Sequence, residues 1–151
     1  MANENKVRNT ASTVRTTGIS SASVNNGAGL LGSAIDFSAA GDRDLFLACQ
    51  LTASHASAPS AGGPYYLYLL RAIDGTNYED GGTSVQPQRQ PDAIFQMRPV
   101  TGAQVVTQAG IMVRVAAPTK LLVWNASGQN ATGVTLIAYS SAEAIGPSEA
   151  E

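Results

Sequence analysis

The chain has 151 residues, 9 of them basic and 11 acidic, for a net charge of −2, and this is the size of one ordinary domain. Charged residues make up 13% of it, against about 25% in a typical domain, which excludes a charge-rich disordered chain. With a pI near 5.3 there is no basic excess to face nucleic acid. Residues 1–29 are rich in Asn, Thr, Ser, Ala and Gly, with Val7, Val14, Ile19 and Val24 the only larger apolar residues after Met1. Such a segment cannot bury enough surface to fold by itself. It reads as an extended N-terminal arm, followed by a β-domain over 30–142 and an acidic tail over 143–151. The N-terminus lacks the apolar run of a signal peptide, and no stretch approaches a membrane span, so a cytoplasmic origin is expected.

From Leu30 onward the dominant period is two, the mark of half-buried strands. Leu45, Leu47, Cys49 and Leu51 share one face of their run. Tyr65–Ile73 carries apolar groups on both faces, which predicts a central strand. The runs 111–115, 121–124 and 134–139 are β-branched or aromatic-rich. Weaker strands are expected at 30–37, 93–97 and 103–107. Asp74-Gly75-Thr76-Asn77 predicts a tight turn, and residues 125–133 a hairpin loop between the last two strong strands. Seven or eight short strands without a helical stripe predict an all-β fold, a single β-sandwich or jelly-roll-like domain. Two long loops, 52–64 and 81–91, lack apolar periodicity and read as contact or solvent-facing segments.

The inventory for chemistry is thin. The single histidine, His55, falls in an Ala/Ser/Gly-rich stretch and reads as an exposed loop residue; no G-x-S-x-G elbow accompanies it. One Cys and one His cannot supply four zinc ligands. Cys49 sits in an alternating run and reads as a small buried hydrophobe. Asp36, Asp42 and Asp44, and Asp74, Asn77, Glu79 and Asp80, are oxygen-rich enough for calcium but lack the EF-hand pattern, so turn and edge roles are expected. Glu79 and Asp80 could pair for glycoside hydrolysis, but the aromatics that would platform a sugar belong to strands. The stripe Tyr65, Tyr66, Tyr68 and the lone Trp124 read as core or strand-contact residues. The run from Gly27 to Gly32 matches a dinucleotide fingerprint only superficially, with neither strand before it nor helix after it. The expectation is a protein without catalytic residues, cofactor or metal.

Charge is absent from Leu45 to Leu70, and Pro99–Ala142 holds only Arg114 and Lys120. Interface cores are depleted in charge, so surfaces covered by copies of the chain or by a partner are expected. Lys6, Arg8 and Arg15 mark the arm, and Glu143, Glu149 and Glu151 mark the tail. The three basic residues are the expected anchors on an acidic partner surface, and a closed oligomer, a trimer, is the expected assembly.

The strand that leads through Arg71-Ala72-Ile73 into DGTNYEDG, and the later KLLVWNASGQ…VTLIAYS, resemble small virion proteins of tailed bacteriophages. These are β-sandwich proteins of the head or tail, including capsid decoration (cement) proteins. The resemblance covers roughly the second half of the chain and carries over no functional residues. It implies a homotrimeric auxiliary protein that binds the major capsid protein lattice on the outside of the virion. The alternatives are a tail, neck or fibre-associated structural protein, or a β-module that binds host glycans.

Overall fold

The computed structural model describes residues 5–9, 13–37, 46–113, 117–141 and 143–147. Among them lie eleven strands and no helix. They are β1 (Asn5–Asn9), β2 (Thr13–Arg15), β3 (Ala22–Val24), β4 (Gly29–Asp36), β5 (Phe46–His55), β6 (Pro64–Arg71), β7 (Ala93–Gln96), β8 (Gly102–Met112), β9 (Pro118–Asn125), β10 (Ala131–Ser141) and β11 (Glu143–Pro147).

The chain forms one long antiparallel ribbon doubled back at residues 72–92. Outward from that bend, β6 pairs with β7, β5 with β8, β4 with β9 and β3 with β10. Pairing of β6 with β9 and of β5 with β10 closes the ribbon into two sheets. Their orders are β4-β9-β6-β7 and β2-β10-β5-β8, with β3 also on β10. This nested order is that of a jelly roll, a double-sheet sandwich. The all-β architecture expected from the period-two pattern is the observed one.

Strand β5 shows why the pattern works. Its residues alternate between half-buried and buried along the whole length. Leu47, Cys49, Leu51 and Ala53 point inward, where they join Leu67 and Leu69 of β6 and Leu121 and Val123 of β9 in the main core. Each fully buried Leu contributes about 1.5–3 kcal/mol of transfer free energy. Burial pushes the Cys49 thiol up to about 12, which makes it a small hydrophobe in practice.

Strands β6 and β9 are apolar on both faces because both faces are covered. The outer side carries a second cluster of Tyr68, Leu70, Leu122 and Trp124, flanked by Tyr66 and Ala126. The 72–92 segment contributes to this side: Gln86 Nε2 donates to the Tyr68 hydroxyl at 2.8 Å, and the Arg89 guanidinium stacks over the Tyr68 ring at 5.6 Å. The 81–91 stretch is therefore a contact segment, and what it contacts is its own sheet.

Two local expectations differ from the structure. Residues 125–133 do not close a hairpin; β9 and β10 lie in different sheets. Turn residues specify a reversal, not the sheet that the next strand joins. The expected 52–64 loop is shorter, because β5 runs on to His55; small residues hid its alternation.

The segment read as an arm, 1–29, is built into the sandwich from Thr13 onward. Strands β2 and β3 pair with β10, and Ile19 and Val24 are buried in the main core. Their few apolar groups suffice because β10 supplies the other half of the contact. Strand β1 pairs with β11, Asn5 opposite Pro147 and Asn9 opposite Glu143, so the basic N-terminal and acidic C-terminal segments are zipped to each other along the backbone. Close approach also explains Gly32 of the pseudo-fingerprint: a Cβ there would collide with the Thr17 carbonyl oxygen, beside the Ser33 N–H bond to that same oxygen at 2.8 Å.

Candidate functional site

Three places hold the residues that chemistry or recognition would use. At one end of the sandwich, His55 closes β5 and is 1% exposed, contrary to the exposed loop position expected of it. The alternation of β5 turns its ring inward. Its Nε2 lies 2.9 Å from the Tyr65 hydroxyl and 3.5 Å from Ser127 Oγ. Its Nδ1 is buried without a protein partner among the described residues. Ser127 Oγ in turn donates to Asn125 Oδ1 at 2.7 Å. Burial lowers the His55 pKa and pushes Tyr65 up to about 12, with the Ser127 hydrogen bond opposing. Serine and histidine thus meet, but the serine proton is spent on Asn125 and both side chains are sealed from solvent. The cluster fastens the 126–130 connection to the sandwich end and offers no nucleophile to an outside molecule.

The second place is the root of the 72–92 segment. Arg71 of β6, 9% exposed at its side chain, meets Asp92 Oδ1 at 3.3 Å and Glu79 Oε2 at 3.8 Å. Arg89 meets Asp92 Oδ2 at 2.9 Å and Glu79 Oε2 at 3.2 Å. Arg89 Nη2 also donates to the Leu69 carbonyl at 2.8 Å, and Asp92 Oδ2 accepts from the Leu69 N–H at 2.8 Å. Burial works to lower the Arg89 pKa, but Asp92 and Glu79 outweigh it and raise the value. Two guanidinium and two carboxylate groups neutralise one another beside a cleft of about 380 Å³. Glu79 is therefore an ion-pair residue. Asp74 likewise spends its carboxylate on its own turn, accepting from the Thr76 and Asn77 N–H groups at 2.9 and 2.7 Å; these bonds hold its pKa down, that of Asn77 most. The described residues contain no His/Cys/Asp/Glu group that could hold a metal ion; Asp42 and Asp44 lie outside them.

The third place is the outer face of the β2-β10-β5-β8 sheet. Register puts Val14, Tyr139 and Ala48 in one row. Ile137, Gln50 and Thr107 form the next, and Thr135, Thr52 and Val105 the one beyond. Ser141, Phe46 and Met112 close the other end. No side chain in these rows is charged, and Val14, Val105 and Met112 are 62%, 59% and 53% exposed. Strand β8, at the sheet's edge, carries no charge over its whole length, although charged side chains are the usual guard of an exposed edge.

Among the sequence-derived anchors, Lys6 and Arg8 lie on β1, whose side chains are outside the described structure. Arg15 lies on β2, with its Nε donating to Ser140 Oγ at 2.7 Å. Tyr65, Tyr68 and Trp124 are buried, so they form no sugar platform. Composition pointed to charge depletion, but only the strand register collects it on one face.

No protein-family model matches the chain, and a search of curated proteins finds no match to it.

Proposed function

We propose that this chain is a non-enzymatic structural protein of a tailed-phage virion that decorates the assembled capsid. In this reading it packs on the major capsid protein lattice outside the particle, associates with copies of itself, and stabilises the shell. The observation that carries the reading is the uncharged outer face of the β2-β10-β5-β8 sheet. The centres of protein interfaces are depleted in charge. The resemblance of the DGTNYEDG turn and the KLLVWNASGQ strand to phage virion proteins supplies the partner class. Lys6, Arg8 and Arg15 are the cationic contacts this reading assigns to the lattice.

Imaging the particle that contains the chain tests it. Jelly-roll density on the outer capsid surface is the expected result. Density at the neck, tail or fibre, or none in the particle, would refute capsid decoration.

A further inference from the structure

The two broad sides of the sandwich are finished differently. Over the β4-β9-β6-β7 sheet, the 72–92 segment covers a second apolar cluster and is pinned by the Arg71, Arg89, Glu79 and Asp92 ion pairs. Among the described residues nothing of the kind covers the opposite sheet.

We propose that a second copy of this chain covers the outer face of the β2-β10-β5-β8 sheet, the two faces packing against each other about a two-fold axis. Charge selects this occupant. The other side of the chain presents the exposed carboxylates Asp74 and Asp80, and seating those against Val105, Ile137 and Tyr139 would strip them of water with no cation in that face to pair them. The same uncharged face carries no such penalty, and a two-fold contact needs only that a surface match itself.

The area suffices. Strands β5, β8 and β10, ten or eleven residues each, with the three-residue β2 and β3 along the β10 edge, give a face of roughly 600 Å² at about 4.8 Å between strands and about 3.3 Å per residue. Two such faces bury about 1,200 Å², above the roughly 1,000 Å² that a biological interface should clear. Aligned sheets pack in this way, about 10 Å apart. This pairing differs from the trimer that the phage resemblance implies, and it holds or fails on the purified chain alone, whatever becomes of capsid binding.

Light scattering on the purified protein, across the micromolar range, tests the pairing together with two variants. The wild type is expected at twice the 15.5 kDa of one chain. Val105→Lys, at an exposed position of the face, is expected to halve that mass while keeping the far-UV spectrum of a β-sandwich. Ile73→Lys, at an exposed position outside the face, is expected to leave it doubled. Thr107→Lys stands in for Val105→Lys if the latter loses its β spectrum. A single-chain mass for the wild type overturns the proposal. So does a three-chain mass, or a doubled mass that survives lysine on the face.

Discussion

His55 Nε2 stands 2.9 Å from the Tyr65 hydroxyl, both side chains buried where β5 turns into β6. The imidazole's partners among the described residues are the uncharged Tyr65 and Ser127, and its other nitrogen has no protein partner among them. The site therefore favours the neutral ring, and burial lowers the pKa below the ordinary 6.5.

Stability should follow that shift in sign. Above pH 6.5 both folded and unfolded chains hold a neutral ring, and protonation favours neither. As the pH falls below 6.5, the unfolded chain takes up a proton that the folded chain resists, so stability declines until the folded site is itself protonated. Urea unfolding from about pH 8 to about pH 5 should show this loss in the wild type and a smaller one in His55→Gln. Tyr65→Phe removes the main partner of Nε2 and should cost about 1–3 kcal/mol at neutral pH. Equal pH slopes for wild type and His55→Gln would contradict the assignment.

Cys49 should be silent toward thiol reagents. It is fully buried, and its thiol is pushed up to about 12, while the thiolate is the reactive form. Labelling in native buffer at mildly alkaline pH should be negligible, and complete in denaturant. Fast native labelling would place Cys49 somewhere other than the core.

Arg71→Met should loosen the 72–92 segment without unfolding the sandwich. Asp92 and Glu79 keep Arg89 as a partner, so the loss should be about 2 kcal/mol, below the 3–5 kcal/mol of stripping a buried ion from its only partner. Hydrogen exchange should rise first at the Leu69 N–H, which donates to Asp92, and at the Glu79 N–H, which donates to the Arg71 carbonyl. Unchanged exchange there would mean that the ion pairs do not hold the segment.

Gly32→Ala tests the close approach of β4 to residue 17. The added methyl meets the Thr17 carbonyl oxygen, a backbone atom that cannot rotate away. A loss of about 1–3 kcal/mol is expected, read as a lower melting temperature. Gly27→Ala meets no neighbour but sits at φ 75°, so any cost there reports backbone strain alone.

Much of the fold was legible because a half-buried strand advertises itself by period. Leu47, Cys49 and Leu51 could be placed on one face from spacing alone, and Tyr65–Ile73 could be read as central from apolar groups on both sides, although β6 ends at Arg71. What escaped was long-range pairing. Nothing local to Ala22–Val24 shows that it docks on β10, since the apolar partner lies more than a hundred residues away. His55 was misplaced because Thr52, Ala53 and Ser54 are small, and alternation among small residues is faint. The uncharged face was visible only as a shortage of charge; register was needed to align Val14 with Tyr139 and Val105 with Thr52.

The most direct measurement on the central claim, that copies paired through the uncharged sheet face decorate the capsid, is co-sedimentation with capsid shells from which the chain has been stripped. Wild-type protein should pellet with the shells to a saturating, fixed copy number, and Val105→Lys should bind with markedly fewer copies. Protein that stays in the supernatant at every concentration, or a lysine variant that binds as well as the wild type, would contradict it.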